Sequence, residues 1–234
     1  MIAIYHIHDL TAENIDRFAD PRFAKENFAP TASHCPKCGK SKEVRARVGE
    51  LIIQWAEPID SYSPGSDVIA DFYDIGIPLT LIASDRLKNF LVDSQYRSFE
   101  FAPIHMVQDP KLKKPKRTTI RTKKRVWLPY LGPPLHELIV TGFAGVDFHV
   151  NQVEVSEHLV CSGCQRYQKL FLRPSNLAPW IIRKTDWDGS DFFRLRFPDR
   201  ELSPEASFVT ESLRNALISE GFTNLGFELH GHIE

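Results

Sequence analysis

Asp85-Arg-Leu-Lys-Asn-Phe-Leu-Val92 lies without a gap on Glu211-Ser-Leu-Arg-Asn-Ala-Leu-Ile218, at an offset of 126 residues. Leu87, Phe90 and Leu91 in the first stretch, and Leu213, Ala216 and Leu217 in the second, fall at helical spacing. Each stretch is therefore predicted to be one short helix with a single apolar face. Ser84 and Thr210 stand just ahead of them, where a side-chain oxygen accepts from the first unpaired amides of a helix.

The same offset reaches well beyond the helices. Cys35 and Cys161 are 126 residues apart, as are Cys38 and Cys164. Phe99-Glu-Phe101 falls on Leu225-Gly-Phe227, and Ser66-Asp67 pairs with Ser190-Asp191 at an offset of 124. Few residues are identical, so shared spacing carries the inference that the chain is a duplication. Each copy reads as a Cys-x-x-Cys knuckle followed by extended segments such as Glu50-Leu-Ile-Ile-Gln-Trp55. A β-rich run comes next, 67–73 with 79–83 in one copy and 191–197 with 206–209 in the other. The helix and a closing strand, 99–104 or 225–229, complete the unit.

The expected fold class is α+β: two pseudo-repeats of zinc knuckle, antiparallel strands and a short helix, clasped by a shared zinc. The expected boundaries are a first repeat at 1–110, a basic linker or hairpin at 111–126 and a second repeat at 127–234, together one folding unit.

Hydrophobic residues make up 42% of the 234 and charged residues 25%, an ordinary globular balance. Net charge is −1, but Lys111, Lys113, Lys114, Lys116, Arg117, Arg121, Lys123, Lys124 and Arg125 form a run with no acidic residue, leaving −10 on the rest of the chain. An acidic body suits a basic partner and a basic segment an acidic one; a like-charge block is also what a solvated linker looks like. The N-terminal residues lack a basic stretch followed by an apolar one, and no segment approaches the roughly 20 apolar residues that cross a bilayer. The expected location is the cytoplasm, where thiols stay reduced and serve metals or catalysis more often than disulfides.

His34-Cys-Pro-Lys-Cys-Gly39 and Cys161-Ser-Gly-Cys-Gln165 each carry two cysteines separated by two residues. That spacing lets both sulfurs reach one zinc ion, and two such pairs complete a closed tetrahedral shell. One structural Zn2+ on Cys35, Cys38, Cys161 and Cys164 is the expected arrangement. A redox dithiol is the alternative, but it belongs at a helix N-terminus in a βαβ context that neither knuckle shows. Two half-sites completed by His34 and His158 are a second alternative, although His34 has Val160 as its repeat equivalent.

The chain holds no His-Glu-x-x-His, no phosphate-binding glycine loop and no Gly-x-Ser-x-Gly. His6 with His8, and His230 with His232, each place two imidazoles at strand spacing, which is compatible with a metal pair or with simple exposure. Asp71 and Asp74 lie near Tyr73 at no spacing that argues for paired carboxylates. Trp55, Trp127, Trp180 and Trp187 are spread out as core residues are. No catalytic residue is expected, and the protein is not expected to be an enzyme.

With these features on one chain, the layout resembles the bacterial double-CxxCG motif proteins, many of which are immunity proteins encoded beside polymorphic toxins. The residues that carry the likeness are Cys35-Pro-Lys-Cys-Gly39, Cys161–Cys164, and Phe208-Val-Thr-Glu-Ser-Leu-Arg-Asn-Ala-Leu217 followed by Gly221–Phe227. Gln165 departs from the pattern, standing where the family has glycine. The resemblance implies a non-catalytic protein that binds and occludes a cognate toxin. The runner-up is a zinc-ribbon-like nucleic-acid-binding module that lays residues 111–125 on phosphates, although that run has no aromatic residue to stack on bases.

Overall fold

A computed structural model describes residues 1–10, 13, 20–23, 37, 49–58, 70–74, 80–107, 125–127, 132–156, 170–172, 179–196 and 206–234. Short apolar runs, too brief for a stable helix, become strands. The first half contains β1 (Ile2–Asp9), β2 (Asp20–Phe23), β3 (Leu51–Pro58), β4 (Phe72–Asp74), β5 (Leu81–Ser84), α1 (Asp85–Asp93) and β6 (Phe99–Val107). Then follow β7 (Arg125–Trp127), β8 (Leu135–Val140), β9 (Gly142–Gly145), β10 (Glu154–Ser156), β11 (Leu170–Leu172), β12 (Trp180–Ile182), β13 (Phe192–Arg196), β14 (Ser207–Thr210), α2 (Glu211–Ser219) and β15 (Leu225–Ile233).

The expected α+β class does not hold. Strand dominates, with two nine-residue α-helices against fifteen strands among the described residues. Two of the sheets are large: one has six strands and another seven. Most pairings are antiparallel, while β3 with β6, β12 with β15 and β9 with β13 run parallel. Both α1 and α2 carry apolar residues at helical spacing, and each begins at the cap foreseen. Ser84 Oγ accepts from the Leu87 amide at 3.1 Å and Thr210 Oγ1 from the Leu213 amide at 3.4 Å.

Both large sheets contain the same run of strands. One reads β3-β6-β8-β5-β4 along its length, the other β12-β15-β1-β14-β13. In the first, Leu138 of β8 faces Leu81 and Phe101. In the second, Ile7 of β1 faces Ser207 and Phe227. Ser207 and Phe227 lie 126 residues beyond Leu81 and Phe101, so the two registers coincide. The opening strand of each half thus sits between two strands of the other half. A central strand is buried on both faces, and each inserted strand supplies an apolar residue to each side: Ile4 and Ile7 on β1, Leu135 and Leu138 on β8.

The cores follow the same pairing. A central core takes equivalent residues from both halves: Ile7 and Leu138, Phe72 and Phe192, Ala83 and Val209, Leu87 and Leu213, Leu91 and Leu217. Each sheet also has an outer core of its own, with Ile53, Tyr73 and Ile82 in one and Phe193, Phe208 and Ile233 in the other. Fully burying a leucine contributes about 1.5–3 kcal/mol, and the central core spends its four helix leucines on joining the halves. Strand exchange and this shared core connect the halves among the described residues; the four cysteines of the expected zinc clasp lie outside them.

The turn after each helix also repeats. Ser98 and Asn224, 126 residues apart, adopt left-handed φ of 76° and 64°. Asparagine tolerates that region better than serine does. The Ser98 carbonyl accepts from the Thr141 amide at 2.9 Å, and the Asn224 carbonyl from the Leu10 amide at 3.4 Å. Each turn therefore ties down the end of the strand donated by the other half.

Candidate functional site

The polar groups that position the site begin at the helix caps. The Ser84 hydroxyl donates to Asp71 Oδ1 at 2.6 Å, and the Ser84 amide to the Asp71 carbonyl at 2.8 Å. The Thr210 hydroxyl and amide make the same two bonds to Asp191, at 2.9 and 3.0 Å. Asp71 and Asp191 are therefore equivalent. This corrects the pairing of Ser66-Asp67 with Ser190-Asp191; residues 66 and 67 lie outside the described residues.

Beyond this point the halves differ. Asp71 Oδ2 accepts from Arg86 Nη1 at 3.1 Å, and from the amide and hydroxyl of Thr223 at 2.9 and 3.0 Å. Arg86 also donates to the Glu220 and Gly221 carbonyls at the end of α2, and its guanidinium lies 4.3 Å from the Phe222 ring centroid. Close by, Asn224 Nδ2 donates to the Phe72 carbonyl at 2.5 Å. The first half's aspartate thus holds its own helix cap through Oδ1 and the second half through Oδ2.

One residue earlier, Asp85 pairs with His136 Nε2 at 2.9 Å. The hydrogen bond from His136, helped by its charge and that of Lys88, holds the Asp85 carboxyl below the ordinary aspartate range. A depressed carboxyl stabilises the fold above its unfolded pKa of about 3.9, and that contribution is lost as pH falls through the folded value. We expect the stability difference between wild type and Asp85→Asn, read from urea midpoints at a series of pH values below 5, to shrink as pH falls through the aspartate range and then to be lost. A difference that grows as pH falls below 5 would reverse the sign of this argument.

In the second half the corresponding partners, an arginine and a histidine, are missing. Arg86 has Ser212 as its counterpart at 126 residues. His136, opposite Ala83, has Tyr5, opposite Val209, as its counterpart in the sheet. Asp191 and Glu211, the equivalents of Asp71 and Asp85, instead line a recess of about 360 Å³. Trp187 and Ile2 wall it on the apolar side, and Thr210, Ser212, Asn215 and Met1 complete it. The indole is fixed by a 2.9 Å bond from Trp187 Nε1 to the Ser190 carbonyl. Arg214 on α2 lies over the rings of Tyr5 and Phe227 at 4.5 and 5.7 Å, and its Nη1 donates to Oδ1 of the recess residue Asn215 at 3.0 Å. The recess combines two carboxylates, hydrogen-bonding groups and an aromatic wall.

The residues singled out from sequence lie elsewhere. Cys35, Cys38, Cys161 and Cys164 fall outside the described residues, as do residues 111–124 and the histidines at 34 and 158. Arg125 begins β7, opposite Pro58 of β3. His6 and His8 both sit on β1 with ring centroids 5.5 Å apart, while His230 stacks on Trp180 at 6.1 Å and packs on Phe208 at 4.6 Å. Burial, then the neighbouring His8, push the His6 pKa down against the pull of Asp74 and Glu228. Among the described residues, no three histidine, cysteine or carboxylate side chains are arranged to hold a metal. Trp180 and Trp187 pack against the second half's outer core.

One buried cation stands apart. Arg194 on β13 is 4% exposed, its Nη2 has no hydrogen-bond partner among the described residues, and burial pushes its pKa down to about 10. It does not line the recess. Among the described residues, no helix is long and apolar enough to cross a membrane. No protein-family model matches the chain, and no curated protein matches it.

Proposed function

We propose that this chain is a non-catalytic binding protein of the immunity type, which neutralises a bacterial toxin in the cytoplasm by direct contact. The observation that carries the reading is the cysteine layout, two Cys-x-x-Cys pairs 126 residues apart in a duplicated chain, as in the double-CxxCG proteins. The strand order supports it. Cys35 and Cys38 fall between β1 and β3, while Cys161 and Cys164 fall between their counterparts β8 and β12. The same proposal places one structural Zn2+ on these four thiolates, a closed shell with no position for substrate.

A preformed body with its halves interlocked loses little entropy on binding, which favours a tight complex. Its −10 charge outside residues 111–125 speeds encounter with a basic partner. Two measurements test the reading. Elemental analysis of the purified protein is expected to give one zinc per chain, and its removal is expected to lower the unfolding midpoint. Co-expression with the product of a neighbouring toxin gene is expected to restore growth, with a stoichiometric complex recovered. A zinc-free native protein overturns the metal assignment. Failure to bind or rescue, together with salt-sensitive retention on nucleic acid, moves the function to residues 111–125.

A further inference from the structure

We infer that the recess beside α2 is a receptor for one arginine side chain presented by a basic protein partner; this rests on the binding-protein reading above. The chain itself supplies the template. In the first half, Asp71 takes the Arg86 guanidinium and an aromatic ring, Phe222, lies beneath it. In the second half, Asp191 keeps the same cap geometry but Ser212 replaces the arginine. Glu211 has likewise lost the imidazole partner that His136 gives Asp85, with Tyr5 in its place.

Two substitutions thus remove an arginine and a histidine from one place, and a recess lies there. Asp191 Oδ1 is occupied by the Thr210 hydroxyl at 2.9 Å, while Oδ2 has no partner among the described residues. A guanidinium offers five donors in a planar fork, which suits two carboxylates flanked by hydroxyls. Trp187 provides the face over which such a cation is attracted, with the indole ring the best of the aromatic surfaces for it. Ile2 gives the aliphatic stem an apolar wall. An anion is disfavoured by the same carboxylates, although the recess lies at a helix N-terminus.

The test uses the full chain, with N-acetylarginine amide as probe and N-acetylcitrulline amide as its uncharged isostere. The readout is the Trp187 indole NMR signal, assigned with Trp187→Phe. The arginine probe is expected to shift that signal saturably, and the citrulline probe to bind at least tenfold more weakly. Glu211→Gln, on the surface of α2, is expected to weaken arginine binding several-fold. Ser212→Arg restores the first half's arrangement and is expected to abolish probe binding by filling the recess from within. Equal binding of both probes, or undiminished binding to Ser212→Arg, overturns the inference. The two readings separate cleanly: a protein that neutralises its toxin without binding arginine refutes the receptor alone. One that binds arginine through these residues but neutralises nothing refutes the immunity reading alone.

Discussion

Asp71→Asn is expected to lower the stability of the protein by roughly 3–5 kcal/mol, whereas Asp191→Asn costs only about 1 kcal/mol. The two positions are equivalent in the duplicated fold, so the contrast isolates what surrounds them. Asp71 is 7% exposed and its two oxygens receive the Ser84 hydroxyl, the Arg86 guanidinium, and the amide and hydroxyl of Thr223. An amide keeps one acceptor oxygen and turns an NH2 group toward donors, which leaves buried groups unpaired. Thr223 and Arg86 belong to different halves, so the loss loosens the seam as well as the cap. Asp191 makes one side-chain bond among the described residues, to Thr210, and the open recess solvates the remainder. Urea denaturation of both variants at pH 7 measures the difference. Equal losses would mean that Arg86 and Thr223 do not hold the seam.

Parts of this fold were legible in the sequence and parts were not, for physical reasons. The helices announced themselves because their signals are local: Leu87 with Leu91, Leu213 with Leu217, and a hydroxyl residue at each N-cap. Their 126-residue spacing also located the closing strands β6 and β15. The strand exchange was hidden because register is set by partners far away in the chain. β1 is eight residues long and its neighbours are β14 and β15, some 200 residues later. Nothing in Ile2–Asp9 states which strands will flank it. The α+β expectation failed at this point, since short apolar runs such as Trp180–Ile182 and Gly142–Gly145 find sheet partners only in the folded molecule.

The recess was half visible. Aligning the two helices already sets Arg86 against Ser212, a lost cation beside an acidic position. The second loss, His136 to Tyr5, follows from sheet register alone and has no counterpart at a fixed offset in the alignment. The equivalence of Asp71 with Asp191 was missed because a Ser-Asp dipeptide matched at 66–67, whereas a bond from the capping hydroxyl defines the true partner.

The central claim is that the two halves are one body because each lends the other its opening strand. Withdrawing β1 would leave β14 and β15 with unpaired edges in the middle of a sheet, and would take Ile4 and Ile7 from two cores. Withdrawing β8 would do the same to β5 and β6. An interface built of central strands and shared leucines behaves as an obligate one, so the peptide link between the halves is dispensable once they have folded. A protease site inserted between residues 110 and 111 allows that link to be cut in the native protein. Size-exclusion chromatography of the cut protein at micromolar concentration, before and after chelation of metal, is the most direct measurement. The account predicts a single particle containing both fragments in each case. Elution of two separate fragments, with or without metal, would contradict it.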